Sequence, residues 1–72
     1  MTQSQIDLVH DGLAGLGEAV RFLGVSRSTI YLLMENGQLP YVKIGRARRI
    51  PRRALVELAA GNVHGGRFGE AT

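Results

Sequence analysis

The 72 residues of this chain are expected to fold as one mainly α domain carrying a small β-hairpin, and three patterns in the sequence predict it. Two short amphipathic stretches, Leu16–Leu23 and Arg27–Glu35, are separated by three residues of which the first is a glycine, the spacing of two helices joined by a tight turn. A run of alternating apolar and cationic residues around Gly45 reads as a hairpin. Beyond it, Pro51 opens a third apolar-patterned stretch that Gly61 closes.

Length and composition narrow the possibilities. A chain this short makes one domain with a thin core. It contains no cysteine, which excludes disulfides and thiolate metal sites and fits a reducing compartment. Its aromatic residues are Phe22, Tyr31, Tyr41 and Phe68. The net charge of +3 understates a local asymmetry: residues 43–53 hold six cations (Lys43, Arg46, Arg48, Arg49, Arg52, Arg53) and no acid. Such a block attracts polyanions, and arginine forks suit phosphate or guanine better than a lysine ammonium does. The plainer alternative for any lone cluster is a solvated basic face. No export signal is visible, and no run approaches the roughly 18 apolar residues that span a bilayer. The chain is therefore expected to be soluble and cytoplasmic, with no membrane partner.

Taken in order, residues 1–14 are polar and weakly patterned, and are expected to form a flexible arm with at most one turn docked on the domain. Leu16, Ala19, Val20 and Leu23 fall at i, i+3, i+4 and i+7, one face of a helix that Gly24 ends. Ser26 stands where an N-cap belongs. The second helix buries Ile30, Leu33 and Met34 and places Arg27, Ser28 and Tyr31 on another face. Asn36-Gly37 stops it, Pro40 prevents its continuation, and Leu39 tucks under the core. In Tyr41-Val42-Lys43-Ile44, Val42 and Ile44 share a side; Gly45-Arg46-Ala47 turns, and Arg48-Arg49-Ile50 returns. This hairpin carries its cations near the tip. Pro51 suits the first position of the closing helix, with Leu55, Leu58 and Ala59 facing inward. Residues 62–72 read as a disordered glycine-rich tail. The domain proper is thus expected over residues 15–61.

Catalysis is not expected. Activating Tyr31 or Ser26 as a nucleophile needs a positioned base and a charge-stabilising pocket, for which one thin core leaves little room. Glu18, Glu35 and Glu57 are scattered and suggest no acid–base pair. His10 and His64 lie at opposite ends without a ligand cluster, so neither a metal nor another cofactor is expected. No glycine-rich stretch has the phosphate-loop pattern.

Binding is a better fit. A helix entering the major groove presents its first residues to base edges, and its positive dipole end favours phosphate. Arg27, Ser28 and Thr29 are placed for that, with Tyr31 one turn further on. Arg27 opposes the macrodipole and so calls for a reason; Ser26 is read as a cap alone. Tyr31 is divided between packing on the hairpin and a phosphate contact. Lys43, Arg46, Arg48 and Arg49 can follow a phosphate backbone, and Arg52 and Arg53, again at a helix N-terminus, are best explained by phosphate nearby. Leu32 lies off the buried stripe, either on a partner surface or covered by the arm.

The run from Leu16-Gly17-Glu18-Ala19 through Val25-Ser26-Arg27-Ser28-Thr29-Ile30-Tyr31 resembles the helix-turn-helix of excisionase-type, MerR-like DNA-binding domains. Gly37-Gln38-Leu39-Pro40 is similar to that family's passage into the wing. Arg48-Arg49-Ile50-Pro51 is similar to its entry into the closing helix. The likeness covers residues 16–60. It implies a winged helix-turn-helix that binds double-stranded DNA without a cofactor, its second helix in the major groove and its wing on the adjacent backbone or minor groove. It also implies a bacterial, phage or mobile-element setting. Gly15 stands where the family usually has a Ser or Thr cap, and Leu32 where it usually has a polar or basic residue.

The resulting expectation is a sequence-specific, non-catalytic DNA-binding protein, most simply an excisionase that assists an integrase, because little chain remains for sensing a ligand. A partner integrase or copies of the chain on adjacent sites would raise occupancy, since a lone module this small binds modestly. No small-molecule ligand is expected. A small transcriptional regulator is the alternative in the same class. An interaction adaptor, using the second helix and Leu32, is the alternative in another. RNA binding is disfavoured by the lack of a stacking pair of aromatics.

Overall fold

The structure, a computed structural model, describes residues 2–65. Its elements are α1 (Gln3–Val9), β1 (Leu13–Ala14), α2 (Leu16–Leu23), α3 (Arg27–Glu35), β2 (Val42–Ile44), β3 (Ala47–Pro51) and α4 (Arg52–Ala60). This is a mainly α winged helix-turn-helix, as the sequence pattern predicts. Most of the expected tail, including Phe68, lies outside the described residues.

The helical pair follows from its local chemistry. Ala19 is fully buried on α2, with Leu16, Val20 and Leu23 packed against the same core. Gly24 leaves α2 in the left-handed conformation, at φ 68°, and donates its N–H to the Val20 carbonyl at 2.8 Å. Ser26 then caps α3, its Oγ accepting from the Thr29 N–H at 3.2 Å. Ile30 and Met34 are buried on α3, and Leu33 is half-buried. After the helix, Leu39 donates its N–H to the Leu33 carbonyl at 3.0 Å and buries its side chain completely.

The wing is an antiparallel pair in the register Val42↔Arg49, Lys43↔Arg48 and Ile44↔Ala47. The loop is therefore two residues, Gly45-Arg46, and Ala47 belongs to the strand rather than the turn. Gly45 has φ 61°, the positive value that a two-residue hairpin loop needs at its first position. The side that Val42 and Ile44 share is only partly covered, Val42 being half-buried and Ile44 58% exposed. β2 lies at the edge of the sheet, and the core is reached through β3, where Ile50 and Pro51 are buried.

Three expectations are corrected towards the ends. In place of an arm over residues 1–14, α1 forms with a reciprocal capping box. Thr2 Oγ1 accepts from the Gln5 N–H at 3.2 Å, and Gln5 Oε1 accepts from the Thr2 N–H at 2.8 Å. β1 then pairs with β3 (Leu13↔Pro51, Ala14↔Ile50), making a three-stranded sheet in the order β1-β3-β2. Two residues of strand surrounded by glycines leave no periodic signal, so pairing with β3 supplies what the sequence does not display. Second, Pro51 ends β3 and caps α4 instead of opening it, at φ −58° and ψ 130°. Third, α4 buries Ala54 and Leu55 while Ala59 is exposed. With Pro51 as the reference, positions 51, 54, 55 and 58 are the helical face, which shifts the stripe away from residue 59.

Because Ile50 joins the wing to the helices, Ile50→Ala should cost about 2–5 kcal/mol, a large share of the roughly 3–10 kcal/mol expected of a domain this size. Ile44→Ala, at an exposed edge, should stay within about 0.5 kcal/mol of the parent chain. Urea unfolding followed by circular dichroism measures both.

Candidate nucleic-acid interface

At the start of α3, capping separates the polar residues into two groups. Ser26 and Thr29 are engaged with each other, their hydroxyl oxygens 3.0 Å apart. Arg27 and Ser28 are exposed beside them, and among the described residues neither side chain has a hydrogen-bonding or ionic partner. One turn on, Tyr31 is 44% exposed.

The wing comes to this helix through Arg48. Residues two apart in a strand share a face, so Arg48 points to the same side as the buried Ile50. Its guanidinium carbon lies 4.8 Å from the Tyr41 ring centroid and 5.8 Å from that of Tyr31, both within the reach of a cation–π attraction. The sequence left Tyr31 divided between wing packing and phosphate contact; the structure brings it to the wing and leaves much of the ring accessible. Tyr31, Met34, Arg46, Arg48 and Arg49 line a cleft between α3 and the wing, floored by Leu16 and Ile50. Lys43 sits directly opposite Arg48 on the same sheet face. Like charges in that position destabilise a sheet, so the fold alone gives no reason for them. Arg49 donates from Nη1 to the Arg48 carbonyl at 3.1 Å, and the exposed Arg46 occupies the wing tip.

Arg52 and Arg53 depart from the expectation that phosphate explains them. Arg52 makes a two-pronged bond to Glu18, Nε to Oε2 at 2.9 Å and Nη2 to Oε1 at 3.1 Å. Arg53 reaches Glu57 Oε2 from Nε at 3.3 Å and the Asp7 carbonyl from Nη1 at 3.4 Å. Their unfavourable place at the N-terminus of α4 is offset by acids within the chain. The hydrogen bond from Arg52 holds the Glu18 carboxyl below its ordinary value against desolvation, the next largest effect, and the charges of Arg52 and Arg21 lower it further; the same bond raises Arg52.

Sequence reasoning missed two participants. Tyr41 gave only the weak signal of an aromatic next to Pro40. Glu18 pairs with a residue 34 positions away and gave no local signal. Leu32 is 61% exposed, and the arm helix packs against α4 instead of covering it. Among the described residues no cluster of His, Asp or Glu could hold a metal ion, and no helix is long and apolar enough to cross a membrane.

A family model described as "Helix-turn-helix domain" matches residues 15–63. Curated relatives include a protein of Saccharopolyspora erythraea named "Probable excisionase", 46% identical over 43 residues, which span 60% of this chain and 44% of the relative. A Mycobacterium tuberculosis protein named "Putative antitoxin VapB50" is 45% identical over 40 residues, spanning 56% of this chain and 31% of the relative. Another from Mycobacterium tuberculosis, named "Putative DNA-binding protein Rv0500A", is 35% identical over 46 residues, spanning 64% and 59% respectively. The chain spans less than two thirds of the length of each of these relatives. No solved structure matches it.

The Glu18–Arg52 pair has a pH signature. A carboxylate whose folded value is lowered stabilises the fold above its ordinary value of 4.5 and loses that contribution as the pH falls through the folded value. The gap in Tm between the parent chain and Glu18→Gln should hold from about pH 7 to about pH 5 and close as the pH drops further. A gap unchanged at about pH 2 would contradict the pairing.

Proposed function

Since the chain belongs to the helix-turn-helix domain family, we propose that it is a sequence-specific, non-catalytic protein of double-stranded DNA. Its favoured role is that of an excisionase, an architectural accessory to an integrase. The observation that carries the DNA reading is the division of the basic residues. Arg52 and Arg53 have acids within the chain, whereas Arg46, Arg48 and Arg49 line one cleft between α3 and the wing, with Lys43 opposite Arg48 and Arg27 at the start of α3, and among the described residues none of the five has a carboxylate partner. Five cations on these two elements, without acids, are matched by a polyanion.

In this reading the N-terminus of α3 enters the major groove, Arg27 and Ser28 meet base edges, and Thr29 and Tyr31 border the backbone. Lys43, Arg46, Arg48 and Arg49 run along phosphates. Arg52 and Arg53, held by Glu18 and Glu57, add little to the charge that meets the phosphates. The excisionase role is supported by the likeness to the Saccharopolyspora protein. A small transcriptional regulator is the alternative, supported by the Mycobacterium relatives named for DNA binding and as an antitoxin. The exposed Leu32 favours a further reading as an interaction adaptor, in which Leu32→Asp is the damaging change.

Selection of bound duplexes from a random library at two salt concentrations tests the reading. A short enriched motif is expected, with log K falling against log salt at a slope of about −4 to −5 for about five neutralised phosphates. Arg27→Ala should cost about 1–3 kcal/mol and relax the motif, while Arg46→Ala should weaken all sequences alike and reduce the slope by about 1. A flat salt response would sink the electrostatic assignment.

A further inference from the structure

We propose that Tyr41 is a positioning residue of the interface, holding the Arg48 guanidinium in the cleft for a backbone phosphate. The inference rests on the DNA-binding reading and assigns a part to a residue that neither the sequence patterns nor the likeness to relatives singles out.

Tyr41 lies just ahead of β2, next to Pro40, which fixes the backbone there. Its ring centroid is the nearer of the two to Arg48, at 4.8 Å against 5.8 Å for Tyr31. The two rings belong to different parts of the fold, one at the root of the wing and one on α3, so Arg48 spans the gap between them. Arg48 is half-buried, whereas Arg27, Lys43, Arg46 and Arg49 are exposed. A long side chain left free in solvent loses rotamer entropy when it is fixed by a ligand. Arg48 has given up part of that freedom before any ligand arrives. Aromatic faces attract the guanidinium but accept none of its N–H bonds through a lone pair, so the donors stay available. Among the described residues they meet no carboxylate or carbonyl. A planar donor fork, oriented and unpaired in a cleft flanked by Arg46 and Arg49, suits the paired oxygens of a phosphate.

A double-mutant cycle on the full chain, read as Kd for a random-sequence duplex, tests this. Tyr41→Leu should weaken binding about three- to tenfold, and Tyr41→Phe, which keeps the ring face, should stay within about twofold of the parent. In an Arg48→Ala background, Tyr41→Leu should change Kd by less than about twofold, because the group it positions is gone. An equal loss in both backgrounds would overturn the inference and make Tyr41 merely structural, while leaving the DNA reading intact. Failure of the parent chain to bind duplex at low salt would overturn the DNA reading and this inference with it. A measurement on the unaltered free protein is independent of whether Tyr41→Leu folds. Ring currents should move the Arg48 side-chain proton resonances upfield of those of the exposed Arg46; coincident resonances would also overturn the inference.

Discussion

β3 is the constraint on which the rest of the molecule depends. It pairs with β1 and β2 and packs against α2 and α4, and Ile50, 1% exposed, is its anchor. In so small a domain one strand must do two things: deliver an apolar side chain to the core and carry cations that cannot enter it. Alternation alone cannot separate these, because Arg48 and Ile50 share a face. The separation runs along the strand instead. Ile50 lies under the helices, and Arg48 lies beyond their edge, where two aromatic rings replace the apolar core as its neighbours.

The charges follow the same economy. A chain with nine Lys and Arg against six Asp and Glu cannot pair all its cations internally. Acids are placed where the fold would otherwise suffer, at the N-terminus of α4, with Glu18 and Glu57 meeting Arg52 and Arg53. These pairs are exposed and individually weak, but they remove two cations from the cleft's free set. Among the described residues, the cations left without an ion pair are Arg21 on α2, Arg27 at the first turn of α3, and Lys43, Arg46, Arg48 and Arg49 on the wing.

Much of the architecture was legible because its signals are local. The Leu16–Leu23 stripe, the Gly24 exit, the Ser26 cap and the Gly37 to Pro40 passage each act within a few residues. The structure reproduces α3 with the expected bounds Arg27–Glu35. What escaped was long-range. β1 is two residues long and exists by pairing with β3, and Glu18 finds Arg52 across 34 positions. At the interface, the residue types and the concentration of charge could be read from the sequence. Which cations were already satisfied, and which aromatic ring would hold Arg48, required the tertiary arrangement. α1 illustrates the limit from another side: its capping box was written in Thr2 and Gln5, but no buried stripe accompanied it.

The most direct test of the central claim, that α3 and the wing form one DNA-binding face, is a map of backbone amide resonances as duplex DNA is added to the isotopically labelled chain. The largest changes are expected at Arg27, Ser28 and Tyr31 and along Lys43, Arg46, Arg48 and Arg49, with α1 and the outer residues Val56 and Glu57 of α4 unmoved. Changes centred on Phe22 and Leu58, with the wing silent, would contradict it.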